Sequence, residues 1–152
     1  MVITSTVAEG QVSVRYMVDT LKVLVIDDDV ETTDLLKIIL EPNAFEVLAA
    51  HSGPEGLDLV RETDPDVIIL DLLMPGMDGL MVCKELRQFS NVPILVLSAV
   101  SRPGIVAQAL NEGADDYLTK PMKSSVLIAH LNKLARRAKA EKVASQASAK
   151  LS

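Results

Sequence analysis

An α/β fold, with five parallel strands in one doubly wound sheet and helices on both faces, is what this chain predicts. Short apolar runs rich in β-branched residues alternate five times with helical patterns. That order generates parallel βαβ units. Two of the runs, "DVIIL" (66–70) and "PILVLS" (93–98), are apolar almost throughout instead of alternating. Strands covered by helices on both sides read this way, and right-handed crossovers put the helices there.

The elements follow in order. "KVLVI" (22–26) is a strand that runs into three aspartates. Leu35, Leu36, Ile38, Ile39 and Leu40 then cluster at helical spacing until Pro42 stops them. "FEVLAA" (45–50) is the second strand, and "GPEGLDLVRET" (53–63) a short helix with Leu57 and Val60 inward. Residues 66–70 are the third strand. A helix over 78–89 follows, with Asp78 as its N-cap. Residues 93–98 are the fourth strand, and 102–113 a helix stopped by Gly113. "DYLT" (116–119) is the fifth strand, and a long helix begins near Lys123 and passes Arg137.

Composition narrows the classes. A chain of 152 residues supports one domain with a real core. No apolar run approaches the roughly 20 residues of a membrane helix, and the N-terminus lacks the pattern of a secretory signal. The single cysteine, Cys83, excludes an internal disulfide and suits a cytoplasmic setting. It lies within a helical pattern and reads as core filler. The net charge of −6 argues against nucleic acid as a partner of the domain.

In a doubly wound sheet the functional crevice lies at the carboxyl ends of the strands. Asp27, Asp28 and Asp29 stand at the end of the first strand, Asp71 at the third, Ser98 at the fourth and Lys120 at the fifth. Crowded carboxylates repel one another. Asp29 is accounted for as a helix cap. Asp71 is not, because an irregular turn follows it, "LLMPGMDG". A cation site accounts for the remainder: Mg²⁺ takes hard oxygen ligands from one or two carboxylates, with phosphate oxygens and water completing the shell. Lys120 offers a mobile positive charge for phosphate, and Ser98 a hydroxyl. One of the carboxylates can itself attack phosphorus and form an aspartyl phosphate. His51 and His130 read as surface or packing residues.

"VLVIDDD", "DVIILDLLMPGMDGL", "PILVLSA" and "GADDYLTKP" match, in order and spacing, the motifs of the receiver domains of two-component response regulators. The resemblance covers residues 21–138. It implies a flavodoxin-like strand order of 2-1-3-4-5. It also implies roles: Asp71 as phosphoacceptor; Asp27, Asp28, Asp71 and the backbone carbonyl of Leu73 around Mg²⁺; Lys120 as the phosphate contact, placed by a cis peptide to Pro121. Ser98 resembles the switch hydroxyl and Tyr117 the switch aromatic, which turns inward on phosphorylation.

The implied partners are a histidine kinase or histidine phosphotransfer protein upstream. Downstream, a protein partner or a second copy binds the surface of the fourth helix, fifth strand and fifth helix. Such a domain catalyses only its own Mg²⁺-dependent phosphorylation and dephosphorylation and is not otherwise an enzyme. The alternative is a receiver-shaped binding or dimerisation module that works without phosphorylation. An aspartate-nucleophile phosphohydrolase is disfavoured, because the acid it needs two residues after the nucleophile is here Leu73.

Some positions are particular to this chain. Leu73 and Val100 flank the acid pocket with apolar side chains, which implies slow loss of the phosphoryl group. Met122 reads as packing. Val126, His130 and Asn132 stand where winged-helix relatives pair charges across a dimer, so that charged dimer is not expected. Residues 1–20 read as a loose extension, and 139–152 as a continuation of the last helix or a linker.

Overall fold

A computed structural model describes the backbone of residues 2–8, 11–17 and 20–151, and the side chains of 20–149. Five strands form one parallel sheet: β1 (Leu21–Ile26), β2 (Phe45–Ala50), β3 (Val67–Leu70), β4 (Ile94–Ser98) and β5 (Asp116–Thr119). Their order is β2-β1-β3-β4-β5. Val23 pairs with Val47 on one side and Val67 on the other. The predicted fold class and strand order are therefore those of the structure.

Four helices join the strands, α1 (Val30–Leu40), α2 (Gly53–Thr63), α3 (Gly79–Leu86) and α4 (Pro103–Asn111), and α5 (Ser124–Leu151) follows β5. The two-residue period of the strands sends alternate side chains to opposite faces. Leu24, Ile26, Ile68, Leu70, Ile94 and Val96 pack with Leu57, Val60, Val82, Leu86 and Ala109 of α2, α3 and α4. Val23, Val25, Ile69, Leu95 and Leu97 pack with Leu36, Leu40, Leu127, Leu131 and Leu134 of α1 and α5. Each such Leu or Ile contributes about 1.5–3 kcal/mol when fully buried. With both faces filled, the carboxyl edge of the sheet is left to carry Asp27, Asp71, Ser98 and Lys120.

Several boundaries differ from the sequence reading. α3 ends at Leu86, not 89, because Gln88 and Phe89 donate to Glu85 and Leu86 and tighten the chain into a turn. α4 is shorter than 102–113: Arg102 is its N-cap, and Gly113 takes φ +116° beyond its end. Asp66 precedes β3 because its carboxylate accepts the Lys22 amide at 2.7 Å. α5 runs through the stretch read as continuation or linker, to Leu151. In the stretch read as a loose extension, Val2–Ala8 and Gln11–Met17 pair as an antiparallel two-stranded ribbon, with Val2 opposite Met17. Among the described residues no helix is long and apolar enough to cross a membrane.

Candidate functional site

β1 ends in Asp27, which is only 3% exposed. Its amide donates to the Ala50 carbonyl at 3.0 Å, locking it beside β2. One carboxylate oxygen accepts the Asp29 amide at 2.9 Å. The other accepts from Lys120 Nζ at 3.0 Å. Asp28 is exposed. Asp29 caps α1, accepting from the Glu31 amide at 3.1 Å and the Thr32 hydroxyl at 2.7 Å. The Thr32 hydroxyl is the main reason its carboxyl lies below the ordinary value.

Asp71 follows β3, and its amide donates to the Ile26 carbonyl at 3.0 Å. It is 8% exposed. Burial raises its carboxyl above the ordinary 3.8; Lys120 opposes that shift and Asp27 adds to it. One oxygen accepts the Leu73 amide at 3.3 Å, and the other lies 3.9 Å from Lys120 Nζ. The turn behind it depends on glycine twice. Gly76 takes φ +76°, a left-handed conformation costly to other residues. Gly79 starts α3 so close to the turn that a Cβ there would lie 2.5 Å from the Asp71 carbonyl oxygen. Asp78, the expected N-cap, accepts the Met81 amide at 3.0 Å. Gly79 escaped the sequence reading; the "DG" pair opening a helix directly behind the acid was the available signal.

Ser98 closes β4 and is fully buried. Its Oγ accepts the Val100 amide at 3.3 Å. The Tyr117 hydroxyl donates to the Val100 carbonyl. Both sequence-predicted switch residues therefore hold Val100, one on its amide and one on its carbonyl. The half-buried Tyr117 ring already packs against the α2–α3–α4 side of the core, and burial raises its hydroxyl above the ordinary value. Lys120 follows β5, with its amide on the Ser98 carbonyl at 2.9 Å, and the Lys120–Pro121 peptide is cis.

Carboxylate oxygens of Asp27, Asp28 and Asp71 lie within 4.8 Å of one another. Three hard anionic donors facing one lysine form a set suited to Mg²⁺. Leu73 is 60% exposed beside them, Val100 is half-buried, and Met122 packs between α1 and α5. The histidines lie away from this cluster in sequence and in bonding. His51 Nε2 meets the Thr33 hydroxyl at 3.1 Å, and His130 Nδ1 pairs with Asp116. The His130 pair was not legible in advance, and neither was the pair of Arg137 with Asp115 at 3.3 Å. Val126 is exposed on α5.

The chain is 40% identical over 116 residues to the DNA-binding response regulator MtrA of Mycobacterium tuberculosis (strain ATCC 25618 / H37Rv), covering 76% of this chain and 51% of that protein. The same identity holds for MtrA of Mycobacterium leprae (strain TN), with 76% and 52% covered. The chain thus spans about half the length of these relatives. Among solved structures it resembles the receiver domain of Francisella response regulator 1452, with a TM-score of 0.73 and 39% identity, covering 77% of this chain and 98% of that one. A two-component response regulator from Clostridium difficile gives a TM-score of 0.74 at 30% identity, covering 77% and 97%. The family model of the response regulator receiver domain matches residues 23–132, and the chain belongs to that family: it is a receiver domain of the kind found in two-component response regulators.

Proposed function

We propose that this domain is a phosphoacceptor switch, with Asp71 as the residue that takes the phosphoryl group. The observation that carries the reading is the convergence of Asp27, Asp28 and Asp71 within 4.8 Å, with Lys120 bonded to the first at 3.0 Å and near the last at 3.9 Å. An Asp71 oxygen attacks the phosphorus of a phosphohistidine; the P–O bond forms, the P–N bond breaks, and the departing imidazole takes a proton from solvent. Asp27, Asp28, Asp71 and the Leu73 carbonyl would hold Mg²⁺. That ion supplies charge neutralisation for the phosphoryl oxygens. The donor is a histidine kinase or a histidine phosphotransfer protein, which implies a cytoplasmic setting.

Lys120 neutralises the acids at rest and contacts a phosphoryl oxygen after transfer. Ser98 turns its hydroxyl from the Val100 amide to another phosphoryl oxygen. Because Tyr117 holds the same Val100, the change passes to β5 and the surface of α4, β5 and α5, where a partner protein or a second copy binds. Tyr117 starts packed and bonded, so its role is to tighten an existing contact more than to swing in from solvent. The net charge of −6 leaves nucleic acid outside the partners proposed for these residues; DNA binding in the name of MtrA is said of that longer protein.

The test is incubation of the chain with a small phosphodonor and Mg²⁺, followed by intact mass and sizing chromatography. One phosphoryl adduct on the wild type and none on Asp71→Asn is the expected result. An adduct that persists in Asp71→Asn, or none on the wild type, overturns the reading.

A further inference from the structure

α5 outlasts the sheet it packs on. It starts behind Lys120 at the carboxyl rim, and by Arg137 it pairs with Asp115, just ahead of β5, at 3.3 Å. The amino edge of the sheet is thus reached at Arg137, and the helix runs on to Leu151. Lys142 Nζ donates to the carboxylate of Asp64, at the end of α2, at 3.1 Å. Between this overhang and the amino edge lies a groove of about 340 Å³. Its apolar lining is Pro65 ahead of β3, Phe89, Val92 and Pro93 ahead of β4, and Ala138 of α5. Phe89 stays 40% exposed even with the Arg61 guanidinium 4.1 Å from its ring centre.

The chain carries a segment of matching chemistry. In the N-terminal ribbon Ile3 stands opposite Tyr16, Ser5 opposite Val14 and Val7 opposite Val12. Cross-strand partners share a face, and every second pair shares the same one. Ile3, Val7, Val12, Val14 and Tyr16 therefore fall on one face with Ser5, while Thr4, Thr6, Ser13 and Arg15 fall on the other. A two-stranded ribbon is marginal by itself and needs something to pack against.

Topology brings the two together. Only residues 18–20 join Met17 to Leu21, a span of at most about 14 Å. Leu21 opens β1 at the same amino edge. The Lys22 amide donates to the Asp66 carboxylate at 2.7 Å, and the Asp66 amide to the Lys22 carbonyl at 2.8 Å. Asp66 directly follows Pro65 of the groove, so the root of the ribbon is bonded beside the groove wall. The start of β4 is two strand spacings away, about 10 Å.

We propose that the groove at the amino edge is the docking site of the chain's own N-terminal ribbon, whose apolar face covers Phe89, Val92 and Ala138. The short tether gives the ribbon an effective concentration of about millimolar at the groove, which favours it over the ribbon of a second copy. Docking there clasps the ribbon between the sheet edge and the overhang of α5. The groove lies at the opposite end of the strands from Asp71, so the contact is independent of the phosphoryl-switch reading.

Isotope-edited NOE spectra of the full chain test this. The expected result is NOEs from methyls of Val7, Val12 or Val14 to the Phe89 ring or the Ala138 methyl. Their absence overturns the proposal. A sample mixing labelled and unlabelled chains in equal parts separates the occupants: NOEs found only between chains assign the groove to a second copy and overturn docking of the chain's own ribbon. Val14→Asp, on the apolar face, should abolish the contacts and speed exchange of the Phe89 and Ser90 amides about three- to tenfold. Thr6→Asp, on the opposite face, should leave both unchanged. Equal effects of the two variants, or none from either, overturn the assignment of that face to the groove.

Discussion

Lys120 and Asp27 lie 93 residues apart in the chain, and their charged atoms meet at 3.0 Å. Asp27 is almost fully buried, and Lys120 is the cation bonded to it. Replacing Lys120 with Met leaves Asp27 and Asp71 facing each other without a counter-charge. Removing one member of a buried pair costs about 3–5 kcal/mol, and the partial exposure of Lys120 lowers this to about 1–3 kcal/mol. Urea unfolding at pH 7 should show that loss, together with much slower phosphorylation. A variant as stable as wild type would mean that the pair is incidental.

Asp71 should destabilise the resting fold at neutral pH. Burial raises its carboxyl above the ordinary 3.8, so the folded state holds this proton more tightly than the unfolded chain. Its contribution is therefore most favourable below pH 3.8 and is lost as pH rises through the folded value. Asp71→Asn removes the charge and keeps the shape. It should raise the melting temperature at pH 7 by a few degrees, for about 1 kcal/mol, and the gain should vanish in acid. Millimolar Mg²⁺ should raise the melting temperature of the wild type and do so less in the variant. A wild type indifferent to Mg²⁺ counts against the ion site.

Much of this site could be read before any coordinates, for a local reason. Apolar runs mark the strands, so the polar residue ending each run marks the rim: Asp27, Asp71, Ser98 and Lys120 follow directly. What escaped depends on distant partners. Arg87 looks like an ordinary exposed helix residue, yet it binds the Gly113 carbonyl 26 positions on. His130 reads as surface until β5 brings Asp116 beneath it. The end of α3 was misplaced because Phe89 continues an apolar helical pattern while its backbone has already turned. Pairing of Val2–Ala8 with Gln11–Met17 is not marked by an apolar run, because Val12, Val14 and Tyr16 alternate with polar residues.

If Asp71 takes a phosphoryl group as proposed, Leu73 should set how long that group lasts. Its side chain is 60% exposed beside Asp71, and it can neither orient nor polarise a water. Leu73→Asn supplies an amide that can do both. Phosphate release from the phosphorylated variant should quicken about three- to tenfold, a barrier change of about 1 kcal/mol, with little change in stability because the site is exposed. Equal decay rates would show that Leu73 does not control the water.

Cys83 gives the fold a weakness in alkali. Burial pushes its thiol up from 9.0 to about 11. As pH rises the unfolded chain loses this proton first, so the thiol's contribution is whole below pH 9 and lost by about pH 11. A difference of that size is worth about 3 kcal/mol. Cys83→Ala should be about 1 kcal/mol less stable than wild type near pH 7, from lost packing. The gap should close or reverse near pH 10.5 in urea titrations. A gap independent of pH would show that the thiol does not titrate in this way.

Gly79 joins the packing of α3 to the placement of Asp71. A methyl at this position would meet the Asp71 carbonyl oxygen at 2.5 Å and the Leu72 Cα at 2.7 Å. Both are backbone atoms, so relief requires moving the helix or the turn. The Gly79 amide also donates to the Leu72 carbonyl at 3.1 Å, and any outward shift of α3 stretches that bond. Gly79→Ala gains helix propensity of about 1 kcal/mol, yet overpacking costs about 1–3 kcal/mol, so the net effect is destabilising. Phosphorylation by a small donor should slow more than stability alone explains, because the shift falls on Asp71 itself. Gly104→Ala serves as the control: its Cβ would meet nothing within 4 Å, and it should gain stability without changing the phosphorylation rate. If the two alanine variants phosphorylate equally fast, the close approach of α3 does not position the acid.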